Sequence, residues 1–519
     1  MIPSFERWKK PSNGKKDGIE LSMNDSLRKA RQYEAGPVRS PVFEPRPRLH
    51  FTAPVGWLND PNGFSWYRGQ YHLFYQYYPY GTHWGPVHWG HAVSSDLLQW
   101  TYLPAALAPG EEYDRDGCFS GSALEMKDGT HLLMYTGYVY DESDPKYRGI
   151  QTQNIALGDG REYEKYSGNP VIVNADIPDG GDPYDFRDPK VWREQDGTLY
   201  AVIASGREDL GARILVFQSR DGLKWSFSHV LTENRLRFGK MWECPDYFKL
   251  DGREVLLVNA MDMEENGPEF HSGNNGLYMI GRWDPERKTF LEQCIHTLDH
   301  GMDFYAGQTL AAPDGRRILI GWMQNPGTAA EHQSDRSYFG QMSIPRELRI
   351  INGKLIQQPV REIEQYRRDP VEYRNVLIQS ESIQLDGISG RVLDMELSVR
   401  SADPCSEYER FELRFAQNSD RYAQFTFFPK TMTACISRLH CSSGHDSLPQ
   451  RQTELFGWNG TLNLRMILDT DSAEIFINDG ETVFSMTLQT ASEANEITFI
   501  SDGNLVLDVT TYKLDSTLH

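Results

Sequence analysis

Apolar and polar residues alternate in short runs along most of this chain, the period of half-buried strands, and the runs are rich in Tyr, Phe, Val and Trp. Five times such a run follows a Gly-centred turn. They read RGQYHLFYQ around Gly69, DGTHLLMYTG around Gly129, DGTLYAVIASG around Gly197, DGREVLLVNAM around Gly252 and DGRRILIGWM around Gly315. The intervals between these glycines are 60, 68, 55 and 63 residues. Each unit predicts a hairpin: a strand, a tight turn, then an apolar strand. Five strand-rich units without long helices between them predict an all-β fold whose first part is a five-bladed β-propeller. A smaller echo, SSDLLQW (94–100) and SRDGLKW (219–225), shares the pattern S-x-D-x-x-x-W.

The pattern changes at both ends. Residues Met23 to Tyr33 predict a short helix, with Asn24 or Asp25 as N-cap and Leu27 and Ala30 on one face. Beyond Arg349 the repeat stops, and EIEQYRRD (362–369) predicts a helical connector. Alternating strands such as RFELRFAQ, YAQFTFFP and TLNLRMIL then predict a C-terminal β-sandwich. The expected organisation is an extension over 1–43, a propeller over 44–350, a connector over 351–372 and a sandwich over 373–519.

Composition narrows the partners. At 519 residues the chain exceeds one ordinary core. A formal charge of −20 disfavours a nucleic-acid partner, because neutralising phosphates needs an excess of Lys and Arg. The Lys9-Lys10 and Lys15-Lys16 pairs are too few for a nucleic-acid arm. No apolar run approaches the roughly 20 residues of a membrane span. The six cysteines are sparse and form no C-x-x-C pair, so a disulfide framework is not expected. A cytoplasmic location fits that reading, although a chain stripped of a signal peptide looks the same. A homodimer is one open oligomeric state.

Counting nine residues back from each turn glycine gives Asp60, Ser120, Asp188, Glu243 and Ala306, the last beside Tyr305. Equivalent positions in propeller blades lie at equivalent distances from the axis, so Asp60, Asp188 and Glu243 are expected to converge at one mouth of the central channel. Crowded carboxylates cannot all ionise easily, and at least one pKa should rise. Three readings fit such a cluster: a hard-cation site, a glycosidic-bond-cleaving pair of carboxylates, or structural turn and ion-pair residues, with Arg187 beside Asp188. The flanking Trp57, Trp84, Trp192, Trp242 and Tyr305 supply ring faces of the kind that stack on sugars.

RPRLHFTAPVGWLNDPNGF, FSGSA (119–123), FRDP (186–189) and WECPDYF (242–248), in that order, resemble glycoside hydrolase family 32, the β-fructofuranosidases. The likeness runs from about Arg46 to Trp322. It implies a five-bladed propeller followed by a β-sandwich, and a retaining exo-hydrolase acting on a small β-fructoside: sucrose, its 6-phosphate or short fructo-oligosaccharides. By the same resemblance Asp60 is the nucleophile, Asp188 binds fructose hydroxyls and stabilises the transition state, and Glu243 is the acid/base, kept protonated by its anionic neighbours. Asn59, Gln76, Trp84, Phe119, Ser120, Arg187 and Tyr305 match family positions around the fructosyl pocket, and Trp322 is a further wall. Neither a metal nor an organic cofactor is implied.

In HWGPVHWGH (83–91), His88 and His91 fall on opposite sides of a strand, which argues against joint metal ligation. Cys244 is expected to be a buried neighbour that tunes Glu243. Three other functions stay open: an inverting arabinan- or xylan-acting hydrolase on a similar propeller, a fructosyltransferase with the same residues, and a non-catalytic sugar-binding propeller.

Overall fold

The computed structural model describes residues 24–36, 46–146, 148–332, 336–403, 408–442, 444 and 446–515. Among them are one α-helix, short 3-10 turns and seven β-sheets. The first five sheets open with the strands Gly56–Tyr67, Gly117–Glu125, Phe186–Arg193, Met241–Leu250 and Tyr305–Ala311. Each pairs antiparallel with the strand that follows it. The five repeat glycines sit in those turns with φ between +77° and +88°. At Gly69 and Gly252 the preceding Arg68 and Asp251 are also left-handed, at +47° and +48°, as a two-residue hairpin on twisted strands requires.

The five opening strands touch in sequence, and the last, Tyr305–Ala311, returns to the first. Closure is reinforced by the two-residue strand Tyr338–Phe339, which pairs parallel with Gly56–Trp57. The S-x-D-x-x-x-W echo is one turn used twice. Asp96 Oδ1 accepts the N–H groups of Leu98 and Gln99, and Asp221 Oδ1 those of Leu223 and Lys224. The closing indole then donates back, from Trp100 to the Leu97 carbonyl at 3.0 Å and from Trp225 to that of Gly222 at 2.9 Å.

Two six-stranded sheets follow and share one apolar core, with Phe411, Leu413, Phe425 and Ile436 of one facing Met395, Val399, Met466 and Phe484 of the other. They join the ring of sheets through buried charge. His50, just before the first strand, bonds Asp469 at 2.8 Å and Glu474 at 3.0 Å. Arg346 of the fifth sheet donates to Glu474 and to Asp299, each at 2.9 Å.

The α-helix spans Asp25–Ala35, with the Asn24 side chain capping the Ser26 N–H at 2.7 Å. Met23 lies outside the described residues. Leu27 and Ala30 pack on Ala105 and Ala108, and Arg31 bonds the Ala105 carbonyl, fixing the helix against the first sheet.

The connector expected over 351–372 is shorter than the sequence reading placed it. Asn352-Gly353 is a hairpin turn, and Lys354–Pro359 completes the fifth sheet. Only Arg361–Tyr366 forms a 3-10 helix, and Arg367–Gln379 is already a strand of the next sheet. Arg367 pairs with Leu514 in that sheet, and its side chain donates to Asp394 at 2.8 Å. The five described cysteines are free, whereas Cys405 lies outside the described residues. No described helix is long and apolar enough to cross a membrane.

Candidate active site

Every opening strand breaks its ladder at the same level. The register slips between Leu58 and Pro61, Phe119 and Gly121, Arg187 and Lys190, Glu243 and Asp246, and Tyr305 and Gln308. Each slip leaves one extra residue on the opening strand, a β-bulge that re-aims side chains. Three of them contain Asp60-Pro61, Asp188-Pro189 and Cys244-Pro245, where proline has no N–H to give the ladder. Asp188, Cys244 and Ala306 are left-handed, with φ of +65°, +46° and +54°. Non-glycine residues in that region cost about 1–3 kcal/mol each and concentrate where geometry serves function.

The bulges bring Asp60, Asp188 and Glu243 to one cavity of about 470 Å³. Asn59, Gln76, Trp84, Phe119, Ser120, Arg187, Tyr305 and Trp322 line it too, so all eleven residues picked from the sequence meet there. Trp57, Met261, Pro326, Ala329 and Ala330 complete the wall. Trp57 was read only as a flanking aromatic. The other four carry no polar signature that a sequence reading could single out.

Each carboxylate is held differently. Asp60 accepts the Ser120 hydroxyl at 2.6 Å on one oxygen and the Asn59 amide at 3.0 Å on the other. Asn59 is itself fixed by the Trp57 indole at 2.7 Å, and Ser120 by the Gln76 amide at 2.8 Å. Asp188 accepts the Cys244 backbone N–H at 2.9 Å, while its own N–H donates to Thr136. Glu243 takes Arg187 Nε at 3.0 Å on one oxygen and the Tyr305 hydroxyl at 2.7 Å on the other. Arg187 is anchored from behind by Asp185 at 2.7 Å.

Burial and the neighbouring Glu243 raise the pKa of Asp60, against the pull of Ser120 and Asn59. Burial raises that of Asp188 to about 7, with Arg187 opposing and the charges of Glu243 and Asp60 adding to the rise. Tyr305, raised by burial and by Glu243, stays protonated and donates. The anticipated rise in a crowded cluster is thus present.

Cys244 is a buried neighbour of the carboxylates, as expected. Its thiol faces Asp60 at 3.6 Å and Asp188 at 3.7 Å, and burial beside those carboxylates holds the thiol well above its usual range. His88 and His91 of HWGPVHWGH are buried framework. His88 bonds the Pro86 carbonyl, His91 pairs with His72 at 3.0 Å, and burial lowers both, His88 to about 4 and His91 well below its usual value.

Residues 50–359 match the glycosyl hydrolases family 32 N-terminal domain, and residues 362–516 match the family 32 C-terminal domain. The chain belongs to glycoside hydrolase family 32. It is therefore a glycoside hydrolase. A sucrose-6-phosphate hydrolase of Escherichia coli is 34% identical over 471 residues, covering 89% of this chain and 93% of the relative. A raffinose invertase of Escherichia coli is 32% identical, with 89% and 93% covered. Among solved structures, a Bombyx mori family 32 β-fructofuranosidase superposes with a TM-score of 0.79 at 33% identity, covering 95% of this chain and 99% of that one.

Proposed function

We propose that this chain is a retaining exo-β-fructofuranosidase acting on sucrose and short unphosphorylated fructo-oligosaccharides, built as a five-bladed β-propeller followed by a β-sandwich. The closed sequence of five opening strands supports the propeller, and the shared core of the six-stranded sheets supports the sandwich. The observation that carries the activity is the set of bulges delivering Asp60, Asp188 and Glu243 to one cavity with separate hydrogen-bond partners. The names of the relatives, which include a sucrose-6-phosphate hydrolase and a raffinose invertase, support the fructoside class.

In this reading an ionised Asp60 oxygen, steadied by Ser120 and Asn59, attacks the anomeric C2 of a terminal fructosyl unit. The bond from C2 to the leaving-group oxygen breaks, and Glu243 gives that oxygen its proton. Near neutral pH the buried cluster retains a proton on Asp188, whose pKa burial raises to about 7. Substrate entry passes that proton to Glu243 and leaves Asp188 ionised against the developing positive charge. Asp188, fixed by the Cys244 N–H, holds fructose hydroxyls and opposes the oxocarbenium-like charge. Water then attacks C2, returns its proton to Glu243 and frees Asp60. Retention requires the two reacting carboxyls to stand roughly 5–5.5 Å apart.

Among the described residues lining the cavity, Arg187 is the one cation, and Asp185 and Glu243 already hold it. A sugar phosphate would find no uncommitted positive side chain there, which supports neutral substrates. The free described thiols accord with a cytoplasmic location. The test is a kinetic panel of sucrose, sucrose 6-phosphate, kestose, inulin and levan, with NMR of the first fructose released. The reading expects the highest kcat/KM on sucrose or kestose and initial β-fructose. Inverted product, or a preference for the phosphate ester, overturns it.

A further inference from the structure

Immediately after Ala329 and Ala330, which wall the cavity, the same 3-10 turn (Ala329–His332) carries Glu331 and His332 to its outer side. There they meet Asp446, in the segment between strands Thr433–Ser437 and Gln450–Glu454 of the second six-stranded sheet. One ligand atom from each of the three lies within 4.8 Å of the others. We propose that Glu331, His332 and Asp446 form a divalent-cation site of the zinc type, clamping the cavity-wall turn to the six-stranded sheets.

The His332 side chain is only 3% exposed, yet its Nε2 has no hydrogen-bond partner. A buried imidazole nitrogen without a partner is costly, and it is aimed at Asp446 Oδ1 from 3.7 Å. That is too long for a hydrogen bond. It is close to the edge of a tetrahedral zinc site, about 3.3 Å for ligands bonded at about 2.0 Å. The other ring nitrogen, Nδ1, faces Gln324 Oε1 at 3.5 Å. A proton on Nδ1 there leaves the Nε2 lone pair for a metal, the arrangement by which an outer partner orients a histidine ligand.

The carboxylates are held in place. Glu331 accepts the Ser447 N–H at 2.9 Å with Oε2, and Asp446 accepts Arg438 Nε at 2.6 Å with Oδ2 while Oδ1 faces His332. Arg438 also serves the buried Asp303, so its single charge is shared between two carboxylates. The hydrolytic reaction takes no step through a cation bound here, and the site is separate from the three catalytic acids.

The test uses the full chain, dialysed against a chelator and titrated with Zn²⁺ alone. Calorimetry and metal analysis after gel filtration count the bound ions. The site predicts one tight Zn²⁺ per chain and a rise in Tm on binding. His332→Ala, checked for folding by circular dichroism, should weaken that ion by on the order of 100-fold and abolish the Tm rise. Glu331→Gln, at an exposed position that leaves the Arg438 pairs intact, should weaken it in the same direction. No bound Zn²⁺ in the wild type overturns the proposal. So does binding that both variants retain unchanged.

Discussion

Ser120, from the second opening strand, donates its hydroxyl to Asp60 of the first at 2.6 Å, so the proposed nucleophile is aimed by a neighbouring sheet. That bond favours the ionised carboxylate and opposes the rise imposed by burial and Glu243. Removing it with Ser120→Ala raises the Asp60 pKa further. A hydrogen bond to a charged group contributes about 1.5–3 kcal/mol, so kcat should fall about 10- to 150-fold. The acid limb of the kcat–pH profile on sucrose should move to higher pH. An unshifted limb would separate Ser120 from the nucleophile.

Asp60→Asn and Glu243→Gln each keep the shape of the side chain while removing its acid–base or nucleophilic chemistry. Both should lose on the order of 10³-fold or more in kcat with little change in Tm. Azide, small enough to occupy the vacated space, should partly restore turnover in Asp60→Ala and give a fructosyl azide. Near wild-type rates in either acid variant would falsify the assigned roles.

The hairpins were legible because Gly69, Gly129, Gly197, Gly252 and Gly315 must be left-handed, and each marks a turn at a fixed place in its sheet. Counting back from them located the acids to within one residue of the bulges. Glu243 precedes its bulge, whereas Asp188 lies within its own, because hairpin turns of different length shift the count. The prolines after Asp60, Asp188 and Cys244 were visible, but only the strand registers show them as parts of one repeated break. The direction of the Cys244 thiol depends on its positive φ, which no composition rule predicts for a cysteine. The cavity wall at Pro326, Ala329 and Ala330 was equally hidden, since small apolar residues in a long loop carry no period and no charge. The strand Lys354–Pro359 was missed for a different reason: its Asn352-Gly353 turn lies beyond the point where the motifs end.

Cys244 is buried between two carboxylates, and both its burial and their charges disfavour the thiolate, which is the reactive form. Iodoacetamide at pH 7–8 should therefore leave sucrose hydrolysis intact, with Cys244 unmodified by peptide mass mapping. The partly buried Cys294 and Cys435 are the better targets among the described cysteines. Loss of activity in step with Cys244 alkylation would show a thiol far more ionised than this site permits.

Stability should follow the buried contact of His50 with Asp469 and Glu474. Burial alone would lower the His50 pKa, but the two carboxylates outweigh it and hold the imidazole at about 9, against 6.5 for the free group. Its contribution is therefore complete below about pH 6.5 and is lost as pH rises through about 9. Asp469 behaves in the opposite sense. Burial would raise it, but His50 and the N–H groups of Arg48 and Leu49 depress it to about 2, from 3.8. Its contribution is present above about pH 3.8 and is lost as pH falls through about 2. These groups together give a stability plateau between about pH 4 and 6.5, with a decline on either side. His50→Gln leaves two buried carboxylates with less compensation, at a cost of about 3–5 kcal/mol. The variant should also lose the decline in Tm between pH 6.5 and 9 that the wild type shows. Thermal scans of both proteins across that range check it, because other titrating groups are common to the pair and cancel in the difference. If the two Tm curves run parallel from pH 6.5 to 9, His50 is not the charged link between the ring of sheets and the six-stranded pair.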